Sequence, residues 1–360
     1  MKQIYKTILV VFLIPMLFLG CEQKQEEDIK IGFIAGLSGK YSALGTSIRD
    51  GFSIAFDEID YKINNQKIVI IEKDDKQDVK EAKKIIDNFI KDDIKLVVGN
   101  ATSSMTAISY DVVNKQKNML LFSATASSGD FTVQDDNFIR LQVEHSKKRY
   151  RTLLDYLGKN KYDIIFFIYD SHNEKYAKDY KKHLGMNIVS SIDLNSPYEN
   201  ILEKVKKSNN NLILIVGNST DSSNIIQYLR LNKIDTPVLC SGWAKTVDFI
   251  SNGGKAVEGV VFSTGYDDHS KDKKFISFVE KFKKKYHKEP SVFAAQGYEL
   301  AQVLITNLKN SSDISTLKQR ILETKKYDGL QGDIIFDEYG DVYREYFMME
   351  VKNKEYRKIN

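Results

Sequence analysis

Two runs of small hydroxyl residues carry the chain's clearest chemical potential. Gly99-Asn100-Ala101-Thr102-Ser103-Ser104 follows the apolar run IKLVV, and Ser123-Ala124-Thr125-Ala126-Ser127 follows NMLLF. In open α/β sheets ligands bind beyond the carboxyl ends of the strands. Hydroxyls and backbone amides placed there can hold a carboxylate without a formal cation, each charge-assisted hydrogen bond contributing about 1.5–3 kcal/mol. If Thr102 to Ser104 open a helix, its free N–H groups and positive dipole end favour an anion further. The same residue types also make helix caps and turns. One cluster alone would say no more than that, and two at neighbouring strand ends leave both readings standing.

Signatures of catalysis are missing. The chain has no GxGxxG, GxxxxGK[ST] or GxSxG, so dinucleotide, nucleotide and serine-hydrolase chemistry lack their backbone elements. His145, His172, His183, His269 and His287 are scattered without HxxxH or HExxH spacing and read as surface residues. Cys240, at the end of a strand-like run, reads as a core thiol rather than a nucleophile. No catalytic residue, metal or cofactor is expected.

The elements that must position the hydroxyl clusters follow from the apolar pattern. KIGFIAGL, KIVIIEKDD, IKLVVGN and NMLLFSA read as buried strands. Between them Ile48, Phe52, Ala55, Phe56 and Ile59 fall at helical spacing, as do Val79, Ala82, Ile85, Ile86 and Phe89 behind a capping Asp78. The rhythm restarts with YDIIFFIYD, EKYAKDYKKHL, NIVSSIDL, ENILEKVKKS, NLILIVGNS and NIIQYLRLNK, then the short strands PVLCSGW and GVVFSTGY. Strands alternating with helices predict parallel sheets covered on both faces, and two such series predict two lobes. Arg140 to Val143 and Thr264 to Tyr266 are the expected crossings between them. The formal charge of +4 is spread through interspersed Lys and Asp/Glu, and runs such as KKFISFVEKFKKK read as solvated helix faces. Nothing here supports nucleic-acid binding.

The chain starts with Lys2 and Lys6, an apolar run from Ile8 to Leu19, and Gly20-Cys21. A basic start and a short apolar stretch ending in a small residue describe a secretory signal. The run falls short of the roughly twenty residues a spanning helix needs. Phe-Leu-Gly-Cys resembles the lipobox of bacterial lipoproteins, with Phe18 where Leu is usual. The resemblance implies cleavage before Cys21 and acylation of that residue. An ordinary secretion signal with an incidental Cys21 is the other reading. Glu22 to Asp28 is polar and acidic and reads as a flexible tether. With Cys21 acylated, Cys240 has no partner for an intramolecular disulfide.

KIGFIAGLSGKYSALGTSIRDGFSIAFDEID resembles the opening of the leucine/isoleucine/valine-binding family of type 1 periplasmic binding proteins. LVVGNATSS and LLFSATAS are similar to that family's ligand-holding loops, CSGWAKTVDFISNGGKAVEGVVFSTGYDD and PSVFAAQGYELAQVL to its later lobe-closing region, and GLQGDIIFDEYGDVYREYFMMEV to its C-terminal return. The resemblance implies an α/β fold of two Rossmann-like lobes with parallel sheets joined by a three-strand hinge. The expected division is a leader at 1–20, a tether at 21–28, a first lobe from 29–142 plus 266–341, and a second from 143–265 plus 342–360. It further implies that Ser103 takes the ligand carboxylate, that Ser123 and Ala124 contribute backbone contacts, and that Thr125 holds carboxylate and amine. Tyr176 closes over the ligand, Phe293 supplies an apolar wall, and Leu44 and Ala101 stand beside it.

The chain departs from this family after PVLC, where an acid commonly holds the ligand ammonium and Ser241-Gly242-Trp243-Ala244-Lys245 stands instead. Lys245 would repel an ammonium, and Asp221, Asp267 and Glu299 are the candidates to replace the acid. Asn218-Ser219 occupies the place of paired tyrosines, which puts Asn218 among the site residues. Trp243 is either a stacking wall for the ligand or a core residue. The ligand is then a small, branched-chain-like amino acid held differently, which the retained Ser123–Thr125 loop favours, or a related carboxylate without an amine.

These readings converge on a monomeric, lipid-anchored binding protein that presents its ligand to the permease of an ABC importer. A sensory protein reporting to a membrane receptor and a cleft enzyme are the alternatives. Substitutions at Ser103 and Thr125 are expected to weaken binding and leave folding intact. The lipobox reading predicts that Cys21→Ala releases the protein from the membrane fraction or leaves its leader uncut. Unchanged acylation and fractionation of that variant would refute it.

Overall fold

The computed structural model describes residues 27–142 and 147–359, with the backbone alone at 147–149. The leader, Cys21 and the tether as far as Glu26 lie outside the described residues, as does Val143 of the first expected crossing. The first series is β1 (Ile29–Ala35), α1 (Ser42–Asp57), β2 (Lys62–Ile63), β3 (Gln66–Asp74), α2 (Val79–Lys91), β4 (Leu96–Gly99), α3 (Ser103–Val113), β5 (Leu120–Ser123) and β6 (Phe138–Arg140). The second is α4 (Lys147–Lys159), β7 (Ile165–Tyr169), α5 (Glu174–Leu184), β8 (Ile188–Asp193), α6 (Tyr198–Lys207), β9 (Leu212–Val216), α7 (Ser219–Leu231), β10 (Val238–Cys240), α8 (Val247–Gly253) and β11 (Val261–Thr264). The chain then forms α9 (Lys273–Tyr286), α10 (Val292–Asn310), α11 (Leu317–Thr324), β12 (Lys326–Gly329), β13 (Gly332–Phe336), β14 (Val342–Tyr343), β15 (Phe347–Lys352) and β16 (Glu355–Lys358).

Among the described residues the strands make three sheets, in the orders β2-β3-β1-β4-β5-β6, β16-β15-β11-β10-β9-β7-β8 and β12-β13-β14. The first is parallel apart from β2 at its edge, and the second apart from the β15–β16 hairpin at its edge. Both faces of each are buried, which is why the central strands read as continuous apolar runs. In β1, Ile31, Phe33 and Ala35 join one core with α1 and α10, and Ile34 joins another with α2. In the second sheet Ile165 and Phe167 point to the core that continues towards the first lobe, and Phe166 and Ile168 to the opposite layer. The result is two α/β lobes with parallel sheets. The chain passes from the first sheet to the second after β6, leaves it after β11 for α9 to α11 and the third sheet, and returns to the second between β14 and β15.

Three local readings are corrected. Arg140 is not in a crossing segment; it ends β6, pairing in parallel with Ser123 of β5. Its guanidinium is wholly buried, bonded to Asp341 Oδ1 at 2.5 Å, Ser128 O at 2.7 Å and Thr132 Oγ1 at 2.9 Å. KKFISFVEKFKKK is one-sided, since α9 buries Phe275, Phe278 and Phe282. The small antiparallel sheet β12–β14 has no counterpart in the alternating pattern, and it packs Tyr327, Ile334, Phe336 and Val342 against the α10 and α11 residues Leu304, Leu308 and Ile321.

Backbone contact between α1 and α10 fixes the mouth of the first lobe. A Cβ on Gly51 would overlap the Ala294 carbonyl, and one on Gly297 the Ile48 carbonyl. Two glycines thus let the helices touch, which sets Leu44 and Phe293 at their N-terminal ends side by side. Gly51→Ala should therefore lower unfolding stability by about 3 kcal/mol, because a backbone carbonyl cannot step aside. Gly158→Ala, in an exposed turn of α4 with nothing near the added methyl, should be neutral or stabilising by up to about 1 kcal/mol. Urea denaturation of both variants checks the contrast. Equal midpoints would show that α1 and α10 are not in backbone contact.

Candidate functional site

Strand ends and helix starts build the space between the lobes. Gly99 ends β4 at φ +142°, and a Cβ there would overlap the Ile34 carbonyl, so only glycine lets the loop leave the sheet this close to β1. Thr102 caps α3, accepting from Met105 N at 3.4 Å and from Gln77 Nε2 at 2.9 Å. Below the loop, Asn100 is the hub. It donates through Nδ2 to Asp75 Oδ2 at 2.7 Å and accepts at Oδ1 from Ser109 Oγ at 2.7 Å. Its carbonyl accepts from Thr106 Oγ1 at 3.0 Å and Ser123 Oγ at 3.1 Å. Burial raises the Asp75 carboxyl above its ordinary range, an effect the Asn100 and Gln77 bonds oppose.

The two hydroxyl clusters are tied together. Ser103 Oγ accepts from Ser127 N at 3.1 Å and Ser128 N at 3.2 Å, which leaves its own proton to donate. Thr125 Oγ1 donates to Ala101 O at 2.6 Å, which ties the second loop to the first and spends its proton. Ser123 Oγ also accepts from Ala126 N at 3.0 Å, so it braces the second loop from beneath. The capping and the ligand-facing readings of these residues are thus compatible.

Leu44, Ala101, Ser103, Thr125, Tyr176, Trp243 and Phe293 line one space of about 20 Å³, together with Thr102, Gln142 and Asn173. Ser123 and Ala124 are buried beneath this lining. Asn218 is elsewhere: its amide caps α7, accepting from Asp221 N at 2.9 Å and donating to Asp221 Oδ2 at 2.8 Å. Trp243 is both things the sequence allowed, a buried ring that also forms a wall. It stacks on Tyr41 with centroids 6.2 Å apart and meets Tyr176 edge-on. Asn173 and Gln142 had no motif to mark them: one is an asparagine before a helix, the other follows a strand too short to read.

The proposed acid substitutes are committed elsewhere. Asp221 pairs with Lys40 at 3.1 Å. Glu299 accepts from Arg344 Nη2 at 2.6 Å, Leu330 N at 2.7 Å and the Tyr266 hydroxyl. Asp267 accepts from His269 N at 2.9 Å in its own turn. The expected repulsion by Lys245 does not arise either. Its buried ammonium pairs with Asp268, sits 4.5 Å from the Tyr356 ring centre, and lines a separate cavity of about 640 Å³. No Asp or Glu is among the residues lining the space of about 20 Å³. Cys240 is fully buried, and burial pushes its thiol pKa up, as a core thiol requires.

Helix starts surround this space. Leu44, Ser103, Tyr176 and Phe293 are in the first turns of α1, α3, α5 and α10. The starts of α3 and α5 meet across the lobes, where Ser104 N donates to Asn173 Oδ1 at 3.1 Å and Lys175 N to Ser104 Oγ at 3.3 Å. The first turns of four helices, where the positive dipole ends lie, therefore border one small volume. Around the rim the lobes are held shut by Tyr41 Oη to Asp170 Oδ2 at 3.0 Å, Lys40 Nζ to Asn195 Oδ1 at 2.8 Å, Gly129 N to Asp179 Oδ2 at 2.9 Å and Lys175 Nζ to Asp130 Oδ2 at 2.7 Å. Burial, reinforced by Asp170, holds the Tyr41 hydroxyl well above its usual pKa, so it stays a donor.

Two parallel-sheet lobes closed over a polar nest with apolar walls, and without a nucleophile–base pair in it, define a ligand clamp. The sequence signature of the periplasmic binding protein family matches residues 28–355, and the chain belongs to that family of extracytoplasmic solute-binding proteins; it is not an enzyme. It is 22% identical over 330 residues to the Leu/Ile/Val/Thr-binding protein of Salmonella typhimurium, covering 88% of this chain and 89% of that one. The branched-chain amino acid transporter substrate-binding protein of Streptococcus pneumoniae, in complex with isoleucine, superposes with a TM-score of 0.81 at 23% identity over 91% of this chain and 97% of the other. A solute-binding protein of R. palustris, in complex with benzoate, gives 0.83 at 16% identity over 92% and 95%.

The geometry changes what substitution here should do. Ser103→Ala strands two buried backbone donors, so it should cost about 1–3 kcal/mol of stability as well as ligand affinity. The sequence-based expectation of intact folding holds only for groups facing solvent. Thr125→Val, which leaves only the Ala101 carbonyl short of a donor, should cost less. Thermal unfolding of the two variants beside wild type tests the order, and a Ser103→Ala melting curve matching wild type would contradict it.

Proposed function

We propose that this chain is the lipid-anchored, extracytoplasmic solute-binding component of an ABC importer, and that its cleft takes a small monocarboxylate with an apolar body. One observation carries the ligand class. The first turns of four helices line one small space that offers hydroxyls, amides and aromatic rings but no acid. Such a field attracts a carboxylate. An ammonium in the same place would be repelled and would lack a buried counter-charge, which is costly. Ser103 then donates to the carboxylate, Thr125 braces the Ala101 loop beside it, and Leu44, Tyr176, Trp243 and Phe293 enclose the body.

The relatives support this range. Isoleucine and benzoate, bound by two proteins of the same fold, share a carboxylate and an apolar body, and only the first has an amine. Spaces of about 20 Å³ are far smaller than the roughly 300 Å³ or more of a ligand site, so loading requires the lobes to part. Closure then remakes the rim bonds, and the closed form is what a permease would recognise. The anchor at Cys21 keeps a monomeric clamp near that partner. A sensory role would use the same pocket, and a neighbouring permease or ATPase gene distinguishes the two.

Thermal shift of the mature domain with 4-methylpentanoate, benzoate and leucine tests the ligand class. A ligand at a hundred times its dissociation constant adds about 2.7 kcal/mol of stability. The amine-free acids should raise the melting temperature more than leucine at equal concentration. A larger shift with leucine would return the assignment to an amino acid, and no shift with any carboxylate would overturn it.

A further inference from the structure

Helix α3 of the first lobe and helix α5 of the second start against each other, and their caps are crossed. An N-cap side chain ordinarily accepts from the second or third amide of its own helix. Asn173 holds the N-cap position of α5 but makes no such bond among the described residues. Its Oδ1 accepts instead from Ser104 N, the second amide of α3, at 3.1 Å. The exchange is mutual. Ser104 Oγ accepts from Lys175 N, the second amide of α5, at 3.3 Å. The same orphan donor of each helix is thus satisfied by a side chain of the other lobe. Gln77 adds a third tie, donating from Nε2 to Thr102 Oγ1 at 2.9 Å in its own lobe and to His172 O at 3.2 Å in the other.

This exchange exists only while the lobes are together. When they part, the Ser104 and Lys175 amides return to water, so opening trades protein bonds for hydration and the two states differ by little. A clamp that must both hold and release needs such a balance. The exchange also reaches the ligand space. Among the described residues Thr102 and Asn173 line that space and Ser104 does not. A ligand filling it therefore packs against Asn173 in its crossed position, and Ser104 supports that position from behind.

We propose that Ser104 and Asn173 form a latch of exchanged helix caps that sets the balance between open and closed lobes and hence the rate of ligand release. Ser104 is then a positioning residue, acting on the ligand only through Asn173 and α5. The inference rests on the two-lobe clamp reading and is independent of which acid the cleft takes.

Trapping of the closed form by cross-linking tests the latch without any ligand. Lys40 and Asn195 are exposed and meet across the rim, Nζ to Oδ1 at 2.8 Å, and the native Cys240 is fully buried. In the mature protein carrying Lys40→Cys and Asn195→Cys, a short bismaleimide joins the lobes at a rate that follows the closed population. Ser104→Ala and Asn173→Ala should each slow trapping by about fivefold, the effect of one lost cap. Ser104→Thr, which keeps the oxygen, should trap at the wild-type rate. Whichever of 4-methylpentanoate, benzoate and leucine the wild type binds should dissociate faster from Ser104→Ala by a similar factor, with its association rate unchanged. Wild-type trapping in the alanine variants, with melting curves that show them folded, would overturn the latch, and so would a Ser104→Thr variant as slow as Ser104→Ala. If one alanine variant does not fold, the other decides. Failure of all three compounds to bind overturns the carboxylate reading alone, since the trapping rates still decide the latch.

Discussion

Two walls rich in polar backbone can close on each other only if each buried donor and acceptor keeps a partner when water leaves. The first lobe meets this constraint through Asn100, whose amide and carbonyl gather Asp75, Ser109, Thr106 and Ser123 into one network beneath the ligand loops. Ser103 ties the first loop to the second by taking the Ser127 and Ser128 amides. With the floor satisfied internally, the Ser103 proton remains for a ligand. The nest can therefore be dry and preformed, the condition under which hydrogen bonds to a charged group count most.

The same economy governs charge. Charged side chains around the cleft are paired with one another: Arg344 with Glu299, Lys245 with Asp268, Lys40 with Asp221 and Lys175 with Asp130. Helix starts supply the remaining field. Their arrangement depends on Gly51 and Gly297, which bring α1 and α10 into backbone contact, and on the meeting of α3 and α5 through Ser104 and Asn173. Because that last contact crosses between the lobes, closing the cleft and completing the positive field are one event. An anion in the cleft stabilises the closed arrangement by exactly its preference for that arrangement over the open one.

Much of this was legible in the sequence because it depends on short-range patterning. The alternating strands and helices, the Asp78 and Thr102 starts, and the hydroxyl clusters all show in stretches of ten residues or fewer. Leu44, Ser103, Thr125, Tyr176, Trp243 and Phe293 do meet, as the motifs implied. What could not be read depends on distant pairing. Lys245 looks like a free cation until Asp268 folds beside it, and Glu299 looks available until Arg344 returns from the last crossing. Arg140 hid a strand because β6 has three residues, too few to show a period. Asn218 sat at the right strand end, but its amide is spent on its own helix.

The account's central claim is that neutral donors at converging helix starts, rather than a cation or an acid–ammonium pair, hold the ligand. A crystal structure of the mature domain grown with a saturating amine-free carboxylate tests it most directly. The account predicts closed lobes with a carboxylate oxygen within about 3 Å of Ser103 Oγ and with backbone amides of the two loops completing the grip. A carboxylate bound instead to Lys245 or Arg344, or lying outside the cleft, would contradict it.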